Sequence, residues 1–194
     1  MKLIFFFIFS TSLFASESRF GALISYSLYD MWLPAKYGGI LSYGTDKRNY
    51  ELAYEKSSIG FGSLLDNIGS VSDERLHLTT RSFKYSNSFN YQYGISYNRF
   101  AVNLGKAFVN TDVFEARTLD LVWGIGNRWK IKSNIEIGVD WLRVFYPVKV
   151  LSLNDKALDN VSNKEDKEDL ENVINLVTNI PKFTIFHFEV GYRF

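Results

Sequence analysis

Few residues in this chain have side chains suited to acid–base or metal chemistry. There are two histidines, His77 and His187, and no cysteine. On a strand, His187 and Glu189 would point to the same face, and a histidine–carboxylate pair can activate a serine. However, the sequence has none of the motifs expected around such a serine, and two isolated histidines do not make a metal centre. We therefore predict a non-enzymatic protein with no catalytic, cofactor-binding or metal-binding residues.

The segment that contains His187 alternates strictly between large apolar and small or polar residues up to the last position. Such a period of two predicts a strand with two unlike faces. The same alternation recurs along the chain, interrupted by turn sequences such as TDKR, SNS and NRWKIKS. The alternating segments are 19–30, 37–46, 49–55, 76–85, 89–98, 119–126, 134–141 and 186–194.

Two architectures can use strands of this kind. A soluble sandwich or calyx puts the apolar face inside, whereas a transmembrane barrel turns it toward lipid. One polar face, Asn90 to Asn98, carries only small and amide side chains, which is too little charge for a soluble surface. Aromatic residues make up 17% of the chain and would overfill a core of this size. The sequence therefore predicts an all-β, antiparallel, transmembrane up-and-down barrel.

The predicted number of strands is eight, with ten as the alternative. The uncertainty lies after Tyr97, where the apolar parity changes from odd to even positions at Phe100, Val102 and Leu104. A β-bulge would produce such a change, so we interpret 100–115 as a bulged extension of the fifth strand followed by an outer loop. A longer loop is predicted over 57–74. Bacterial barrels of one chain have even strand numbers, which disfavours nine.

The N-terminus predicts export. Lys2 is followed by an apolar run from Leu3 to Phe9 and then by Ser and Thr residues leading to Ala15, which is the layout of a secretory signal peptide. We predict a signal peptide over 1–15 and a mature barrel over 16–194. The formal net charge of +1 gives no indication of nucleic-acid binding.

The C-terminal strand, with Phe186, Phe188, Val190, Tyr192 and a final Phe194, resembles the assembly signal of bacterial outer-membrane β-barrel proteins of the small, eight-stranded type. The resemblance implies residence in the outer membrane of a Gram-negative cell, contact with its lipid, and recognition of this strand by the barrel insertion machinery. It matches none of the enzyme motifs known among such barrels, for example those of lipid deacylases.

The segment 147–182 is predicted to be a long, acidic, partly helical outer loop. Ser162 and Glu165 fit a capping box, Leu170, Val173, Ile174 and Val177 recur at helical spacing, and Pro181 would end the helix. The favoured interpretation is a solvated helix packed on the barrel rim, and the functional alternative is a docking or cation-binding loop with an unknown ligand.

The remaining charged residues on the polar faces are expected to pair inside the barrel, because buried charges need partners. The acids are Glu51, Glu55, Asp120, Glu136, Asp140 and Glu189, and the bases are Arg81, Arg128, His187 and Arg193. Such a lumen favours an envelope-structural or surface-interaction role. The alternatives are a narrow pore for small solutes and a lipid-modifying barrel enzyme.

Overall fold

The computed structural model describes residues 19–63, 66–83, 88–104, 111–131, 134–154 and 164–194. The predicted signal peptide lies outside these residues. Within them no helix is long and apolar enough to cross a membrane.

The described residues form a closed barrel of eight antiparallel strands. Each strand pairs with the next along the chain, and the first pairs with the last. The strands are β1 Arg19–Asp30, β2 Lys36–Gly44, β3 Arg48–Ser63, β4 Asp66–Ser82, β5 Phe89–Leu104, β6 Thr111–Lys130, β7 Ile135–Asn154 and β8 Lys182–Arg193; helix α1, Lys164–Asn179, precedes β8. The prediction of eight strands is confirmed, and the alternative of ten is wrong.

The apolar parity faces outward, as predicted. Tyr93, Ile95, Trp123 and Trp141 are exposed on the outside of the barrel, and Tyr91 and Ile137 are half-exposed on the same face. The alternate positions are buried in the interior of the barrel, the lumen, and are mostly polar or charged. Apolar side chains thus lie outside and polar ones inside, the reverse of a soluble protein, and lipid requires this arrangement.

The strands differ from the prediction in length on one side of the barrel. Residues 57–74, predicted as a loop, are mostly strand, because β3 continues to Ser63 and β4 begins at Asp66. Likewise β6 begins at Thr111, inside the predicted outer loop, and β7 continues to Asn154. A crossing needs only about 9–11 residues, so these strands continue beyond it, where the outward face meets no lipid and the apolar alternation fades.

Three neighbouring strands share one change of phase. Two lumen-facing residues normally lie two positions apart, but on β1, β7 and β8 one pair is separated by three. The pairs are Ser27 and Asp30, Asp140 and Arg143, and Thr184 and His187. The change enters through a register shift between β6 and β7 at Ile125/Gly126. It crosses β8 at Phe186, which has φ of 54°, a conformation unfavourable for an aromatic residue in a strand.

The backbone of Phe186 gives a testable asymmetry with its neighbour Phe188. Both side chains are exposed on the lipid-facing side, but only Phe186 has a positive φ, which glycine adopts without strain. We expect Phe186→Gly to reduce the free energy of unfolding by about 1–2 kcal/mol less than Phe188→Gly, since strain of this kind costs about 1–3 kcal/mol. Urea unfolding of detergent-refolded variants measures the difference. Equal losses would contradict a strained Phe186.

Candidate functional site

Arg81, on β4, is the centre of a charge cluster in the lumen, toward the end of the barrel at which β1 begins and β8 ends. We call this the periplasmic end and the opposite one the outer end, following the orientation that the resemblance to outer-membrane barrels implies. Its guanidinium donates to Asp140 at 2.6 and 3.1 Å, to Glu189 at 2.8 Å, to Asn90 at 2.8 Å and to both Glu51 oxygens at 3.2 Å. These partners lie on β3, β5, β7 and β8. One side chain therefore ties together strands on several sides of the barrel, and all five residues are buried.

A second arginine, Arg128 on β6, completes this cluster. It donates to Glu51 at 2.6 Å and, through Nε, to Glu189 at 3.2 Å. The absence of a side chain at Gly138 makes room for this contact, because a Cβ there would lie 2.6 Å from the Glu189 carboxylate. Three carboxylates and two guanidinium groups thus fill the lumen at this level.

Arg193 makes ion pairs at the periplasmic end of the lumen. Its Nη1 donates to Asp46 at 3.2 Å, and its Nε lies 3.4 Å from Glu136. Asp46, in the turn between β2 and β3, also accepts a hydrogen bond from Lys130, and this bond, with the charges of Lys130 and Arg193, holds the pKa of the Asp46 carboxyl below its ordinary value. The stability that a lowered pKa contributes is present at neutral pH and is lost as the pH falls through about 4 and below.

The middle of the lumen contains both histidines. Arg143 donates two hydrogen bonds of 3.0 Å to one oxygen of Glu55, and one of 3.0 Å to the other. The Nε2 atoms of His187 and His77 lie 3.3 and 3.6 Å from the same carboxylate. Ser27 Oγ is 2.8 Å from His187 Nδ1.

This grouping of serine, histidine and carboxylate does not support nucleophilic catalysis. Arg143 Nη2 lies 2.9 Å from the same Nδ1 atom that Ser27 approaches. A guanidinium group can only donate, so it competes with Ser27 for the lone pair that a general base would use. Ser27, His187 and Glu55 are also fully buried. The arrangement is a packed polar network within the lumen.

The outer part of the lumen holds a third group of charges around Arg75. This arginine donates to both oxygens of Asp30, at 2.8 and 3.0 Å, and to Asp73 at 2.9 Å. Lys36 bonds Asp73 and lies 3.4 Å from Asp30. The buried Phe145 ring separates this group from the middle one, with its centroid 4.4 Å from the Arg75 guanidinium carbon and 5.6 Å from that of Arg143.

Apolar side chains form a cluster at the outer end of the lumen, above these charges. Val177 of helix α1 is buried against Phe100, Phe114 and Ala116, with Trp32 packed beside them. The predicted helix is therefore present, and its apolar side packs against lumen-facing side chains at the outer ends of β5 and β6. Ser162, its predicted cap, lies outside the described residues.

One group of side chains resembles a metal site in spacing alone. Asp140, His187 and Glu189 place one possible ligand atom each within 4.8 Å of one another. Arg81 already donates to both carboxylates, so the charge that would attract a cation is balanced by a guanidinium. The donor set fits an arginine better than a metal ion.

All ten charged residues predicted for the lumen are buried there, which confirms that prediction. Among the residues that the structure describes, seven others were missed: Asp30, Lys36, Asp73, Arg75, His77, Arg143 and Lys182. Asp73 fell in a predicted loop, and several others lie beyond the change of phase. Adjacent apolar pairs mark this change in the sequence, and they could have revealed it: Leu28-Tyr29, Trp141-Leu142 and Ile185-Phe186.

A closed barrel with an apolar outer belt and a charged, buried lumen defines a membrane β-barrel. No protein-family model and no curated protein matches the sequence. The structure is similar to Neisserial surface protein A (NspA), at 10% identity and a TM-score of 0.51, with 91% of this chain and 97% of that chain covered. It is also similar to Acinetobacter baumannii CarO2, at 13% identity and a TM-score of 0.51, with 91% and 98% covered. The chain thus has the fold of the small eight-stranded outer-membrane β-barrels.

The role of Arg81 can be tested against a second cation at the periplasmic end. Arg81→Met leaves three buried carboxylates short of donors, and we expect a loss of about 3–5 kcal/mol in the free energy of unfolding. Lys130→Met removes an exposed pair with Asp46 and should cost less than about 1 kcal/mol. Urea titration of both variants in detergent measures this contrast, and similar costs would contradict a structural role for the lumen cluster.

Proposed function

We propose that this protein is exported through a cleaved signal peptide, resides in the outer membrane, and has a non-enzymatic role in envelope structure or surface interaction. The observation that carries this proposal is the filled lumen. Guanidinium and carboxylate groups bridge it at three levels, and each level contacts strands on different sides of the barrel. A barrel of eight strands has only enough interior space for its own side chains.

Side-chain contacts at both ends of the lumen support a barrel that does not conduct. At the periplasmic end Arg193 contacts Asp46 and Glu136. At the outer end Val177 packs against Phe100 and Phe114. A solute would have to break buried ion pairs and displace the helix, and leaving a buried charge without its partner costs several kcal/mol.

The outer half of the barrel wall supports a role at the surface. Strands β6 and β7 each contain 20 residues, about twice the length that a crossing requires. The pairing of β7 with β8 reaches only as far as Phe145. The rest of β7, up to Asn154, therefore extends past the start of β8. The projecting sheet and helix α1 offer the area for contact with a partner, whose chemistry this geometry does not specify.

The two alternative functions have weaker support. A narrow pore would need a continuous path, and the described part of the lumen is filled by ion pairs. A lipid-modifying enzyme would need a nucleophile that an acyl chain could reach, whereas Ser27 is fully buried and its histidine contacts Arg143.

The proposal is tested by conductance. Wild-type protein refolded into planar phosphatidylcholine bilayers should show no stable channel steps, because the lumen is occupied by paired side chains. A porin added to the same bilayers serves as a positive control. Heat-dependent migration of the same sample on gels would verify that the barrel is closed. Steady ohmic conductance in proportion to the amount of inserted protein would favour the pore instead.

We also propose that the C-terminal strand is recognised by the insertion machinery. Phe194 is 71% exposed, and its N–H donates to the Phe20 carbonyl at 2.7 Å. Deleting it removes about 1.5–3 kcal/mol of apolar burial at most, which is too little to open a barrel whose strands are all paired. Its exposure suits a side chain that the insertion machinery recognises during assembly.

Deletion of Phe194 should therefore sharply reduce the protein in outer-membrane fractions of cells while leaving detergent-refolded protein nearly as stable as the parent. Phe20→Ala is the matched control, because Phe20 is 65% exposed near the same end but lies on β1. We expect this variant to reach the membrane normally. An equal loss in cells and in detergent would show that Phe194 acts only in folding stability.

A further inference from the structure

Outward-facing charges lie in one row across four strands, where the apolar outer face ends. Lys56, Glu74, Arg99 and Arg117, which we call the boundary row, stand directly opposite one another in the registers of β3 to β6. The next outward row toward the periplasm is apolar, with Tyr54, Leu76, Tyr97 and Leu119. The boundary row therefore marks the level at which lipid tails give way to headgroups.

Positive charge predominates at one end of the boundary row. Arg99 and Arg117 are cross-strand partners, and like charges in that position repel each other. Glu115 bridges them, 2.7 Å from Arg99 and 2.5 Å from Arg117. At the other end, Glu74 pairs with Lys56 at 2.9 Å and also lies 3.6 Å from Arg99. Two carboxylates, Glu74 and Glu115, thus serve three cations, Lys56, Arg99 and Arg117.

A bulge adds a third cation beside these two. Asp120 pairs with Pro147, so a regular ladder would place Val148 opposite Leu119 and turn Lys149 toward the lumen. The register shift between Leu119 and Asp120 instead pairs Lys149 with Leu119, on the outward face, where Lys149 is exposed. Bulges of this kind re-aim side chains. The bulge here brings Lys149 onto the face of Arg117.

We propose that Arg99, Arg117 and Lys149 form a binding site for the phosphate group of an outer-leaflet lipid. The acyl chains of such a lipid would contact Tyr97 and Leu119, while its phosphate would meet the excess positive charge above them. Arginine and lysine both bind phosphate well. This inference rests on the membrane residence proposed above and adds a lipid class to it.

The test measures lipid selectivity by electron spin resonance. Protein is refolded into phosphatidylcholine vesicles that contain spin-labelled phosphatidic acid or spin-labelled phosphatidylcholine, and the association of each label with the barrel is compared. We expect the wild type to prefer phosphatidic acid. The double variant Arg117→Gln/Lys149→Gln should lower that preference about twofold or more. Each cation near an anionic lipid surface strengthens binding by up to about fivefold.

The matched control is Arg19→Gln/Lys130→Gln, which removes the same charge from exposed positions at the periplasmic end and should retain the preference. Equal preference in the wild type and the outer double variant, or an equal loss in both double variants, would overturn the site. Loss of the preference on adding inorganic phosphate at constant ionic strength would identify a free-anion site instead. Failure of the wild type to insert would contradict membrane residence; insertion without selectivity would contradict only this inference.

Discussion

A charged side chain inside a closed eight-stranded barrel cannot be hydrated by bulk water, so it must be paired within the lumen. The rest of this structure depends on that constraint. Arg81 satisfies it by reaching carboxylates on three other strands. A buried pair of this kind contributes little net stability over an apolar filling, but losing one partner is costly. The lumen network therefore fixes which strands can face one another more than it adds to stability, and it excludes arrangements that leave a charge alone.

The change of phase shows how the backbone serves this network. Without it, the part of β8 that precedes Phe186 would turn its lumen-facing side chains outward. Thr184 would then point away from Asp30, whose carboxylate accepts its hydrogen bond at 2.6 Å. Arg143 likewise reaches Glu55 only because β7 changes phase beside Trp141. An unfavourable φ at Phe186 is thus offset by the ion pairs that it allows.

The sequence allowed much of the fold to be predicted because lipid imposes a simple rule on outward positions. Phe89 to Tyr97 alternate without exception, and that stretch is in the barrel as expected. The rule fails where lipid ends. Residues 57–74 carry Ser, Gly and Asp on both parities, because their outward face meets no acyl chains, so period two disappears although the strands continue. Asp73 was missed because it lies in this predicted loop, and Arg75 because it directly follows it. Their ion-pair partners lie across the lumen, and such pairing leaves no trace in local sequence spacing.

The two faces of the barrel use the same ion-pair chemistry with different balance, and this difference bears on function. Inside, Arg75 and Lys36 are matched by Asp30 and Asp73, so charges of the two signs balance. Outside, Glu74 and Glu115 serve three cations, Lys56, Arg99 and Arg117, and a bulge adds Lys149 on the same face. A surface that needed only its own stability would not place like charges opposite each other. With the lumen closed by internal pairing, the unbalanced outward charge is where interaction with another molecule has the strongest physical basis.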